Sequence, residues 1–96
     1  MSATHTVPLR IARDHPALPG HFPGNPLVPG VVLLERVAAA YRQWRGARIE
    51  RLDAKFVQPL LPGQDAMIAL HEEGTRLRFE VTRTDGEVLA RGMLHG

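Results

Sequence analysis

Polar and apolar residues alternate from Thr6 to Ala12, with Val7, Leu9 and Ile11 on one side, and this two-residue period predicts a short strand. Pro8 cannot donate to a ladder, so the strand belongs at a sheet edge or the residue at its start. From Asp14 to Gly30 the periodicity vanishes into a run holding Pro16, Pro19, Gly20, Pro23, Gly24, Pro26 and Pro29. No helix or ladder runs through such a stretch. A connection this rigid in a small domain predicts a loop held in one shape for function. From Val31 to about Trp44 the pattern turns helical, and Gly46 is its expected stop. The first half of that helix is apolar nearly all round (Val31, Val32, Leu33, Leu34, Val37, Ala38), which predicts burial, with polarity returning at Arg42, Gln43 and Arg45.

The remainder reads as antiparallel sheet. Ile49 to Leu60, with an expected bulge, is followed by a turn at Pro62-Gly63 and a strand from Ala66 to His71. Arg76 to Arg83 alternates with Leu77, Phe79 and Val81 inward, Asp85-Gly86 signals a two-residue hairpin, and Glu87 to Leu94 returns. Strand, long loop, buried helix and four strands predict one α+β domain over residues 1–96, a sheet wrapped around a central helix.

With 96 residues the core is thin, and self-association is an expected supplement. There is no cysteine, which excludes disulfides, thiolate chemistry and cysteine-based zinc sites. No apolar run approaches the roughly 20 residues of a membrane span, and Met1 to His15 lacks a signal-peptide pattern; the expected location is the cytoplasm. The net charge is +2 and the pI about 9.9. The basic character gathers at Arg36, Arg42, Arg45, Arg48 and Arg51, a cluster that attracts an acidic partner or reads simply as a solvated face. With three Phe, one Tyr and one Trp, the chain lacks the aromatic interleaving of a single-strand nucleic-acid binder.

Three features carry candidate chemistry. Glu35 is the only acid between Asp14 and Glu50, set in the apolar half of the helix. A buried unpaired carboxylate finds a partner or stays protonated, and a protonated carboxyl near neutral pH is a general acid. The alternative is an exposed glutamate on a narrow polar stripe with Arg36. His21, in the rigid loop between Gly20 and Phe22, is of the residue type most used as general base, or else a packed loop histidine. Gly30 and Val31 open the helix, where unpaired N–H groups can polarise a carbonyl oxygen. None of the other histidines forms a recognised metal spacing with these, and no metal is expected.

Residues 19 to 35, PGHFPGNPLVPGVVLLE, closely resemble the signature of the bacterial β-hydroxyacyl-acyl carrier protein dehydratases of the hot-dog superfamily. AKFVQPLLPGQ, residues 54 to 64, resembles that family's central strand and turn. The resemblance implies a hot-dog fold, a catalytic pair His21 and Glu35, and substrate contacts at Gly30, Val31 and Phe22. It implies an assembly at least dimeric, with the histidine and acid of one site drawn from different subunits. The substrate would be a 3-hydroxyacyl group on the phosphopantetheine of acyl carrier protein, with no cofactor of the enzyme's own, and the arginine cluster would be the docking surface. The chain has no counterpart of the family's further N-terminal helix and strand, in which it resembles shorter relatives from pathways such as aryl polyene synthesis. Ala39 stands where many members have glutamine. Two other readings share the fold: an acyl thioesterase, and a weakly catalytic partner subunit of a heteromeric dehydratase.

Overall fold

The computed structural model describes residues 2–14 and 28–95. His21 and Phe22 lie outside them, as does most of the proline-glycine loop. The described elements are β1 (Ser2–Leu9), α1 (Gly30–Arg45), β2 (Arg51–Phe56), β3 (Ala66–Glu73), β4 (Arg76–Arg83) and β5 (Val88–His95). The five strands form one antiparallel sheet in the order β1-β3-β4-β5-β2, with α1 across one face. This is the α+β, hot-dog arrangement expected.

Alternation decides which residues meet the helix. Register pairs Val7 with Ile68, Ile68 with Val81 and Val81 with Ala90, and likewise His5, Leu70, Phe79 and Gly92. Since strand side chains alternate, each row lies on one face. The inner rows bury Leu9, Ile68, Leu70, Phe79, Val81 and Leu94 against Val32, Leu33, Val37, Ala40 and Tyr41 of the helix. Burying side chains of this size stabilises by roughly 1.5–3 kcal/mol each before entropy is counted.

Local chemistry sets the boundaries. The helix begins after Pro29, whose φ of −60° and ψ of 142° are extended, and stops at Gly46 in the left-handed region (φ 70°), whose N–H donates to the Arg42 carbonyl at 2.7 Å. Arg42 and Arg45 in the last turn complement the negative end of the dipole. Its C-terminal end is fastened by a stack of the His5 ring on Trp44 (5.3 Å, 7° between planes), by Arg45 3.9 Å from the Trp44 centroid, and by an Arg45–Glu72 ion pair at 2.7 Å.

Several strand expectations shift. The first strand runs Ser2–Leu9 rather than Thr6–Ala12, because β3 extends to Glu73 and carries Ala3 and His5 inward with Val7. Within Ile49–Leu60 the regular ladder runs from Arg51 to Phe56; just beyond it the Val57 and Gln58 amides both donate to the Leu89 carbonyl, two residues against one as in the expected bulge, and a further irregularity falls between Val81 and Thr82 in the β4–β5 pairing. The Asp85-Gly86 turn is wider than two residues: Arg83 N–H donates to Glu87 at 2.8 Å and Gly86 N–H to Arg83 at 2.9 Å, with Gly86 at φ 96°. That is a three-residue loop closed by a glycine bulge. The helix is not buried all round either: Val31 is 62% exposed, and Glu35 and Arg36 are exposed. One sheet covers one side of a helix, and among the described residues no element covers the other.

Gly92 faces inward beside Ala54, and a Cβ there would run into the Asp53 backbone carbonyl and stand 2.9 Å from the Phe79 ring. Only glycine lets β2 lie so close. Gly92→Ala is therefore expected to lower unfolding free energy by about 2–3 kcal/mol in denaturant titration. A loss below about 1 kcal/mol would mean that β2 swings away from β5 freely.

Candidate active site at the helix start

The loop's described flanks are pinned before the helix begins. Val28 N–H donates to Leu60 at 2.9 Å, and Gly63 N–H donates to Ile11 at 2.8 Å. Ile11 and Leu60 are fully buried, and Val28 nearly so. The connection holding Leu60 and Gly63 is itself a tight turn: Gln64 N–H donates to Leu61, Gly63 sits at φ 83°, and Gln64 Oε1 accepts from Leu61 N–H at 3.1 Å. Pro62 followed by a left-handed glycine makes it type II, as the Pro62-Gly63 pair predicts. Both ends of the undescribed loop are thus tied to one rigid connection beside the helix start.

Pro29 caps the helix without a side-chain hydrogen bond, and the first turn holds no acid. The Pro29 carbonyl accepts from Val32 N–H at 3.0 Å and from Leu33 N–H at 3.4 Å. Among the described residues, the Gly30 and Val31 amides have no backbone acceptor. Two N–H groups at the positive end of a dipole are therefore available to an oxygen that gains negative charge. Phe56, the last residue of β2, leans its ring on Gly30: a Cβ at residue 30 would stand 2.7 Å from Cζ. Alternation places Phe56 on the same face of β2 as Leu52 and Ala54, and nothing in the local sequence marks it for the helix start. It is 49% exposed.

Glu35 lies on the outer stripe of the helix with Val31, Ala38 and Arg42, and is exposed. Of the two readings of this carboxylate, the exposed glutamate on a polar stripe with Arg36 is the one found, because the stripe faces away from the sheet formed by the described strands. At about 100° per residue, Glu35 is turned about 140° from Gly30 but only about 40° from Val31. The structure brings Gly30 and Val31 together, sets Glu35 apart from Gly30, and leaves His21 and Phe22 outside the described residues.

The basic cluster divides. Arg45 is committed to Glu72 and Trp44, and Arg51 to Asp53 at 3.0 Å, while no ion pair among the described residues involves Arg36, Arg42 or Arg48. A groove of about 580 Å³ lined by Lys55, His71, Arg78 and Arg91 lies on the outer face of the sheet, away from the helix start. At its margin the Arg51 hydrogen bond holds the Asp53 carboxyl below its usual range, against desolvation and with His95 adding to the effect. This groove is not where the Gly30 amide sits. Among the described residues, no helix is long and apolar enough to cross a membrane.

Residues 1–93 match the ApeI-like family, described as ApeI dehydratase. The chain is 34% identical to the 3-hydroxyacyl-acyl-carrier-protein dehydratase FabZ of Pasteurella multocida, over 88% of this chain and 65% of that protein. It is 29% identical to FabZ of Klebsiella pneumoniae, over 88% of the chain and 66% of the relative. It thus spans just under two thirds of these curated relatives. Among solved structures it superposes on an uncharacterised protein from Erwinia carotovora with a TM-score of 0.83 at 25% identity, covering 98% of this chain and 82% of that one. A second is the dehydratase heterocomplex ApeI:P from Xenorhabdus doucetiae, with a TM-score of 0.79 at 23% identity, covering 96% of this chain and 85% of that one.

Glu35 is exposed, and no hydrogen bond or ion pair among the described residues involves it. Glu35→Gln is expected to leave unfolding free energy within about 0.5 kcal/mol of the native value in denaturant titration. A larger loss would make Glu35 a structural residue.

Proposed function

The chain belongs to the ApeI-like family of dehydratases, and from that premise we propose that it converts a 3-hydroxyacyl thioester of acyl carrier protein into the trans-2-enoyl thioester and water. The observation that carries the reading is the helix start, where the Gly30 and Val31 amides have no backbone acceptor among the described residues and lie beside Phe56, with a solvent-exposed carboxylate five residues after Gly30. The thioester carbonyl oxygen accepts from these amides, which stabilise the enolate-like oxygen as the C2–H bond breaks. His21 takes the C2 proton, and Glu35 gives a proton to the departing 3-hydroxyl, so that C2=C3 forms and water leaves. Nothing is oxidised or reduced, and the phosphopantetheine arm comes with the carrier protein.

Glu35 lies on the exposed stripe of the helix, on the side away from the described strands of its own chain, and this favours a site assembled from two subunits. In a dimer the Glu35 of one protomer completes the site built by the His21 loop and helix start of the other. The partner is a second copy or another hot-dog protein; the likeness to a dehydratase heterocomplex supports the second arrangement. The unpaired Arg36, Arg42 and Arg48 suit the acidic surface of a carrier protein.

The test is incubation with a 3-hydroxyacyl carrier protein, read by mass spectrometry. Loss of water is expected, with His21→Ala and Glu35→Gln each slowing turnover by about 10²–10⁴-fold. Mixing the two variants under subunit exchange is expected to restore activity, since a mixed dimer holds one site with neither lesion. Release of free acid would replace the dehydratase with a thioesterase. Inactivity of the folded chain, relieved only by a co-purifying hot-dog protein, would assign it as the partner subunit of a heteromeric enzyme.

A further inference from the structure

The ring of Phe56 touches Gly30 in a particular way. A Cβ built on Gly30 would stand 2.7 Å from Cζ and 3.1 Å from both Cε atoms. Near-equal distances to the three atoms at the ring tip place that point over the ring face, since along the ring axis the Cε atoms would be much farther than Cζ. The tip of the ring therefore lies flat against the Cα of the residue that offers its amide. The ring cannot easily withdraw: Phe56 pairs with Ala90 in β5, and the next two amides, of Val57 and Gln58, both donate to the Leu89 carbonyl at 2.8 and 3.2 Å. Leu89 and Ala90 are fully buried, so the strand that holds Phe56 is locked to the core.

A ring so anchored would ordinarily be covered. Phe56 is instead 49% exposed, and beside it in sequence Val57 is 44% exposed; Val31, which follows Gly30, is 62% exposed. The apolar surface left open thus includes the two residues that follow and face the free amides. The Gly30 nitrogen is bonded to the Cα that the ring covers, so the amide and the ring border the same surface.

We propose that Phe56 is a specificity-determining residue, the platform against which the first carbons of an apolar acyl chain lie when the thioester carbonyl sits on the Gly30 amide. This rests on the dehydratase reading above and adds to it a preference for substrates whose carbons beyond C3 are apolar. Gly30 is required on the same account: a side chain there would displace the ring and obstruct the amide. The ring also keeps water from one side of the carbonyl, which strengthens the amide's hold on developing charge.

Two measurements separate this assignment from the reading it rests on. Calorimetric titration uses unreactive trans-2-enoyl-pantetheine amides of four, six and eight carbons, with native protein, Phe56→Leu and Phe56→Ala. Turnover of the matching 3-hydroxyacyl carrier proteins runs alongside, with light scattering for the assembly state. Affinity of the native protein is expected to rise with chain length. Phe56→Ala is expected to cut the eight-over-four-carbon affinity ratio about tenfold, with Phe56→Leu between. An unchanged ratio in a native protein that binds the series or removes water from the thioesters overturns the Phe56 assignment alone. So does dissociation of the assembly with equal loss at every length, which would make Phe56 an interface residue. Native protein that binds none of the amides and dehydrates none of the thioesters overturns the dehydratase reading together with this one.

Discussion

Everything in this chain hangs on one helix packed on one side of one sheet. Val32, Leu33, Val37, Ala40 and Tyr41 meet the inner rows of the strands, and among the described residues no other element stands across from the sheet to share that load. The packing tolerates little error, because a protein interior is filled as densely as an organic crystal. Gly92 shows how tight the fit becomes where β2 crosses close to β5 beside Phe79. The same constraint leaves the outer stripe of the helix without cover, so Val31, Glu35 and Ala38 belong to whatever lies beyond this chain.

The candidate site follows from that geometry. The helix start is held by β2 through Phe56 and by the Leu60–Gly63 connection, and that connection in turn holds both flanks of the proline-glycine loop. Backbone amides placed in this way need no reorganisation when a charge develops before them, which is the condition for electrostatic stabilisation to be effective. A helix terminus is generic on its own. Here it is joined to the tied flanks at Ile11 and Val28, to an aromatic ring at contact distance and to an exposed carboxylate on the same helix.

The two ends of the helix are treated differently. At the C-terminal end, Arg45, Trp44, His5 and Glu72 tie it to β1 and β3 through stacking and an ion pair, and Gly46 closes the last turn. At the N-terminal end Pro29 offers no side-chain cap. Among the described residues, stacking and ion pairing gather at the far end of the helix, while the Gly30 and Val31 amides have no backbone acceptor.

The sequence by itself determined the elements whose causes are local. Gly46 as a helix stop, the Pro62-Gly63 turn, the clean alternation of Arg76 to Arg83 and the long signature from Pro19 to Glu35 were all legible, because each depends on residues within a few positions of one another. The extent of β1 was not, since Ala3 and His5 become inward-facing only through pairing with Glu72 and Leu70 on β3. The width of the β4–β5 turn was decided by the bond between Arg83 and Glu87 rather than by the Asp85-Gly86 pair alone. Glu35 stayed open between burial and exposure for the same reason: apolar neighbours in sequence do not say how many sides of a helix the chain can cover. Only the tertiary structure decided that Glu35 turns outward and that the Phe56 ring meets Gly30, because both depend on which side of the helix the sheet occupies.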